Sequence, residues 1–143
     1  MKLFYSLVLT AIMAVNGIAC ADEAHAESNP EQQKVHHLVI IWLKQHGDEQ
    51  ARRKYIEVSK HLAEIPGVLA YDIGTPVPLQ RERTDSAADD SYDLAISSTL
   101  ESRQALDNYV KHPKHQKIIQ DILKPMVDKY KVYDFIDPAP GQK

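Results

Sequence analysis

From Val35 to Lys44 the chain places apolar side chains on both alternating sets of positions: Val35, His37, Val39, Ile41 and Leu43 on one side, and His36, Leu38, Ile40, Trp42 and Lys44 on the other. A period of two predicts a strand. Apolar character on both of its faces predicts cover on both sides, because a strand with one wet face alternates cleanly. A single layer of helices covers one face only, so the other calls for a second sheet or a second subunit. Asp48 fits an N-cap, and beyond it Ala51, Tyr55, Val58, Leu62 and Ile65 recur at three- and four-residue steps while Arg52, Arg53, Lys54, Glu57 and Lys60 lie elsewhere. That spacing predicts an amphipathic helix, ended by Pro66-Gly67. Val68 to Thr75 reads as a second strand with Leu69, Tyr71 and Ile73 on one face, stopped by Pro76 and Pro78.

Residues 76–90 are polar, carry both signs of charge and lack a period, which predicts a loop longer than a tight hairpin needs. Tyr92 to Thr99 predicts a third strand, with Tyr92, Leu94 and Ile96 opposite to Asp93, Ala95 and Ser97. Ser98 and Glu101 have the spacing of a capping box and are expected to open a helix running through Tyr109 and Val110. His112 then caps a further helix with Pro113 at its first position. Ile118, Ile119, Ile122, Leu123, Met126 and Val127 continue an apolar stripe that Pro125 interrupts, and Val132 to Ile136 is a last strand. The order strand, helix, strand, strand, helix, strand predicts an α+β fold of the ferredoxin-like, split βαβ type. It is a four-stranded antiparallel sheet with helices on one face.

The ends read differently from this middle. Lys2 precedes the apolar run Leu3 to Val15, which is followed by small residues, as in a signal peptide too short to span a membrane comfortably. The expected organisation is a signal peptide over 1–26, a flexible tether over 27–34, one domain over 35–137 and a disordered tail over 138–143. Cleavage fits after Ala21 or after Ala26, the second being preferred. Export to the periplasm or the outside follows, with no membrane contact unless Cys20, preceded by Ile18-Ala19, is lipidated as in a lipoprotein box. With that single cysteine the domain contains no disulfide.

The chain has 143 residues, room for one domain, and its net charge of −3 with scattered Lys and Arg excludes a phosphate-neutralising surface, so nucleic acid is not an expected partner. Its five glycines are dispersed and no Gly-x-Ser-x-Gly or Cys/His arrangement occurs, which removes phosphate loops and the common nucleophile motifs. What stands out is Asn108 to His115, with one phenol and two imidazoles in eight residues across a proline break. His115 falls in the first turn after the cap, where the positive helix end disfavours protonation and leaves an imidazole able to accept a proton. Tyr109 can hydrogen-bond a substrate carbonyl and steady an enolate. His37 shares an apolar strand face, where a lone histidine is usually a hydrogen-bonded core residue, with a catalytic role as the alternative. Asp93 is expected on the strand beside His37, fixing its tautomer or forming an ion pair. His36 and His37 point to opposite faces, so with His112 and His115 they do not complete a four-ligand zinc site, and no metal is expected.

Five stretches in this order, His36 to Ile40, Ile65 to Val68, Tyr92 to Ala95, Tyr109 to Gln116 and Val132 to Phe135, resemble the stress-responsive α/β-barrel (Dabb) family of the dimeric α/β-barrel group. The resemblance spans about residues 35 to 136. It implies a homodimer in which two sheets pack through their open faces, the cover that the first strand asks for. It also implies two alternatives for function. One is cofactor-independent acid/base chemistry, since a plant polyketide cyclase of the family closes a ring by aldol chemistry. That cyclase carries its tyrosine and histidines at positions matching Tyr109, His115 and His37, with His112 and Asp93 as binding residues here; Asp93 replaces a histidine of the cyclase. The small, partly apolar carbonyl or aromatic compound expected as substrate needs no cofactor. The other alternative is a non-catalytic barrel that binds a small ligand or serves a stress response.

Overall fold

The computed structural model describes residues 33–77 and 88–137. The expected signal peptide, most of the tether, Cys20, the centre of the 76–90 loop and the tail lie outside the described residues.

Four strands, β1 (Val35–Leu43), β2 (Val68–Gly74), β3 (Leu94–Leu100) and β4 (Val127–Ile136), form one antiparallel sheet in the order β2-β3-β1-β4. Helices α1 (Glu49–Ser59), α2 (Arg103–Lys111) and α3 (Pro113–Ile118) lie on one face. This is the ferredoxin-like split βαβ arrangement, with β1 and β3 at the centre because each helical crossover, β1 to β2 and β3 to β4, steps over one neighbouring strand to an edge. The core fills the space between the layers: Ile41, Leu43, Leu94, Ile96 and Leu100 from the sheet meet Ala51, Tyr55, Leu62, Ala105, Tyr109 and Leu123 from the helical side. Gly67, at φ +89°, lets the turn before β2 run against α2, since a Cβ there would meet the Ala105 Cβ at 2.9 Å.

Among the described residues no layer covers the other face of the sheet. Leu38 and Ile40 are half-buried there, while Tyr133 and Phe135 are 49% and 53% exposed. His36 stacks on Phe135 at 4.8 Å between ring centres, and the Lys129 ammonium lies 4.4 Å from the Trp42 ring centre.

Several boundaries differ from expectation, each for a local reason. Ser98 is not a helix cap: pairing with β1 and β2 carries β3 on to Leu100, and Ser102 caps α2 by accepting from the Ala105 N–H at 3.1 Å. The helix after Asp48 ends at Ser59 and tightens into a 3₁₀ turn, Lys60–Glu64. Helix α3 passes into a π turn, Ile119–Leu123, and then a short 3₁₀ turn, Lys124–Met126, around Pro125. β4 begins at Val127, so the end of the apolar stripe belongs to the sheet.

Asp93 also lies elsewhere than expected. His37 pairs with Ser98 and Ile41 with Leu94, so Asp93, just before β3, sits roughly 16 Å of strand away from His37. It is fully buried. Its carboxylate accepts from the Leu43 and Gly47 N–H groups, each at 2.8 Å, from His46 Nδ1 at 2.9 Å and from the Arg52 guanidinium at 2.8 and 3.1 Å. Burial alone would raise its pKa, but these donors outweigh burial and hold it down at about 2. The carboxylate thus ties the end of β1, the following turn and the start of α1 together.

Two outcomes follow for urea unfolding. Asp93→Ala is expected to cost about 3–5 kcal/mol, because it strands a half-buried guanidinium and two backbone donors. Because the folded pKa lies below the ordinary 3.8, this group's contribution of about 2 kcal/mol is present above pH 4 and lost as pH falls toward 2.

Candidate functional site

On the helix-facing side, one row crosses the whole sheet: Tyr71 opposite Ser98, Ser98 opposite His37, and His37 opposite Asp134. Alternation along β1 sends His37 inward and His36 outward, so the two never share a site. His37 is covered by the helices, its side chain 12% exposed, and its Nδ1 lies 2.7 Å from the Asp134 carboxylate. A carboxylate only accepts, so Nδ1 carries the proton and, in the neutral ring, Nε2 carries the lone pair.

The break between α2 and α3 sets the second imidazole. His112 leaves the helical backbone and accepts from the Lys114 N–H through its own Nδ1 at 3.1 Å, with Pro113 opening α3. His112 is therefore a capping residue and does not line the cavity described below. The break turns the chain so that Tyr109 and His115 meet edge to face at 4.7 Å, and Tyr109 meets His37 likewise at 6.0 Å. Tyr109 is 2% exposed and stands between the two imidazoles.

His115 differs from His37 in having no carboxylate. Its Nδ1 is sealed from solvent without an aligned hydrogen bond, and the Val110 carbonyl lies near the ring. Nε2 is then the nitrogen left to meet a ligand. Burial first, and then the neighbouring His37 and His112, push its pKa below the ordinary 6.5.

A cavity of about 320 Å³ lies between β1, β4 and the helices, and His37, His115 and Asp134 all line it. Much of the wall is aliphatic, with Val39, Ile41 and Leu123 among its residues. Tyr109 is not part of the wall; the phenols that are belong to Tyr55 of α1 and the exposed Tyr130 of β4, Tyr55 being 4% exposed and held protonated far above the usual range by burial and by the nearby Tyr71. Lys124 and Gln120 belong to the wall as well. The size suits a small organic ligand. Among the described residues no three His, Cys, Asp or Glu side chains are grouped to hold a metal ion, and no helix is long and apolar enough to cross a membrane.

The structure therefore brings His37, Tyr109 and His115 together and leaves His112 and Asp93 outside the cavity. Sequence reading missed Asp134 and Tyr55. Asp134 carries a signal, an acid alternating with Val132 on the inner face of β4, but only the β1–β4 register assigns it to His37. Tyr55 lay within a helical apolar stripe and was read as core alone.

The same fold is found elsewhere. The family model for the stress responsive A/B barrel domain matches residues 35–137. A stress-response A/B barrel domain-containing protein of Arabidopsis thaliana is 28% identical over 117 residues, which cover 81% of this chain and 42% of that protein. The chain thus spans less than half the length of that relative. Among solved structures, a Dabb family protein with a ferredoxin-like fold from Mesorhizobium loti superposes with a TM-score of 0.60 at 20% identity, over 75% of this chain and 99% of the other. A hydroxynitrile lyase from Passiflora edulis gives 0.60 at 22% identity, over 75% and 95%. A dimeric ferredoxin-like protein of unknown function from Thermobifida fusca gives 0.58 at 20%, over 79% and 100%. With fold, sheet order and family model in agreement, the chain belongs to the stress-responsive A/B barrel domain family.

Proposed function

We propose that the cavity carries out cofactor-independent acid/base chemistry on a small, partly apolar carbonyl or aromatic compound. The observation that carries this reading is the pairing of two imidazoles on one cavity in opposite surroundings: His37 against Asp134, and His115 with no carboxylate at all. An imidazole that burial in a cavity keeps neutral is placed to accept a proton. His115 Nε2 is the base. It takes a proton from a carbon next to a carbonyl, the electron pair moves into the enolate, and the Tyr55 hydroxyl donates to the enolate oxygen. Asp134 orients the His37 ring and holds it in the Nδ1–H tautomer. Returning the proton from His115 to carbon completes an isomerisation; adding the enolate to a second carbonyl, whose new alkoxide takes that proton from His115, completes a ring closure, and neither changes the oxidation state. A related fold works as a hydroxynitrile lyase in Passiflora edulis, which supports this cavity as a place for such chemistry. The aliphatic lining supports ligand binding without turnover as the alternative.

We also propose that two copies pair through the open sheet face, where Leu38, Tyr133 and Phe135 leave apolar surface uncovered. The dimeric state of the Thermobifida fusca neighbour supports this. Export of the mature domain belongs to the same proposal and rests on the apolar Leu3 to Val15 run behind Lys2.

The chemistry is tested by α-proton exchange of acetophenone in D₂O, followed by NMR. Exchange above buffer is expected, with His115→Ala lowering it about 10²- to 10⁴-fold. The titratable groups around His115 are His37, His112 and Tyr109, and across the cavity Asp134, Tyr55, Tyr130 and Lys124. With the His115 pKa lowered, exchange should hold at neutral pH and fall only below pH 6.5, as the ring protonates. The same sign makes His115 destabilising in acid, since the unfolded chain binds the proton first. No exchange by any such ketone, with retention of one of them, supports the binding alternative. For the dimer, sedimentation should give twice the chain mass, and Phe135→Glu should halve it.

A further inference from the structure

Two phenols cross the core in opposite directions behind the cavity. Tyr71 rises from the sheet toward Ser59 on α1, and Tyr109 descends from α2 toward Ser98 on β3. Both serines are 0% exposed. Ser59 donates its own proton to the Ile56 carbonyl at 3.1 Å, and the buried Tyr71 hydroxyl near it makes no aligned hydrogen bond. Ser98 makes no aligned hydrogen bond within the protein, yet its hydroxyl is near enough to act on the Tyr109 phenol. A fully buried serine hydroxyl in a strand is costly unless it is used. Here the group within its reach is the Tyr109 phenol.

The direction of that phenol matters for the site. If the Tyr109 hydroxyl turns down to Ser98, it is not offered to a ligand, and the wall of the cavity agrees, since Tyr55 lines it and Tyr109 does not. What Tyr109 presents to the imidazoles is its ring, edge to face against His115 at 4.7 Å and His37 at 6.0 Å. We propose that Tyr109 is a positioning residue and not a proton donor: Ser98 anchors its hydroxyl inward, and its ring holds His37 and His115 apart and keeps water from behind them. A phenol can do this where a leucine cannot, because an aromatic edge packs specifically against an imidazole face. The proposal rests on His115 being the base of the cavity, but its main test does not need turnover.

The test is the His115 titration by NMR in the full chain. Tyr109→Phe keeps the ring and should leave the midpoint where it is, below 6.5, whereas Tyr109→Leu admits water and should raise it toward 6.5. A Phe variant that moves the midpoint as far as Leu does, or a Leu variant that leaves it in place, overturns the ring's role. Ser98 is tested by a thermal double-mutant cycle of Ser98→Ala with Tyr109→Phe, which also decides the anchoring if the Leu variant does not fold. The two losses in Tm should combine to less than their sum, and strict additivity overturns the pairing. In acetophenone exchange, Tyr109→Phe should lose less than about tenfold; a loss of about 10²-fold or more marks a proton donor and overturns the proposal. Absence of exchange in the unaltered protein would overturn the proposed chemistry alone, leaving the titration and the cycle to decide this inference.

Discussion

An imidazole placed under a helix layer must find a hydrogen-bond partner or it weakens the fold around it. His37 is such a group, set by strand alternation on the inner face of the central strand, and the 2.7 Å contact with Asp134 meets the demand. That contact exists only because β4 pairs with β1 in a register that puts Asp134 directly opposite. The pairing in turn requires β4 to run from Val127, leaving the chain to reach it through the π and 3₁₀ turns that form one side of the cavity. Cavity, dyad and sheet edge are consequences of one register.

The second histidine is governed by the opposite condition. His115 comes from the helix break rather than the sheet, has burial without a carboxylate, and so favours the neutral ring. The two imidazoles are only a tyrosine ring apart, yet one is supplied with negative charge and the other is deprived of it. Far along the same sheet, Asp93 uses its charge differently. Surrounded by donors, it clamps the turn that leads from β1 into α1, and α1 delivers Tyr55 to the cavity. A structural carboxylate and a site carboxylate thus sit near opposite ends of β1, and their partners tell them apart.

Much of this was legible in the residues. The element order, the two-sided apolar character of Val35 to Leu43, and the cap formed by His112 ahead of Pro113 follow from local periodicity and local chemistry, which the chain does carry. The gathering of His37, Tyr109 and His115 was legible through family resemblance. What local pattern does not encode is register between strands distant in sequence: Asp134 reaches His37 across 97 residues, and Asp93 fell off the end of β3 instead of lying beside it. Ser98 looked like a cap because serine ahead of a helix is a common cap, and strand pairing overrode it while Ser102 took the role. Tyr55 was hidden by its own apolar neighbours, since a stripe position says that a side chain turns inward but not whether it meets core or cavity.

The account depends most on His115 being a neutral imidazole with its Nε2 lone pair free at neutral pH, beside a His37 whose Nδ1 holds its proton against Asp134. Ring-nitrogen chemical shifts from ¹⁵N-labelled histidines at pH 7 report this directly for each residue. The expected result is the Nδ1–H tautomer for His115 and a protonated Nδ1 for His37, with the His37 signal altered in Asp134→Asn. A His115 that is cationic at pH 7, or that carries its proton on Nε2, would contradict the assignment of His115 as the base of the site.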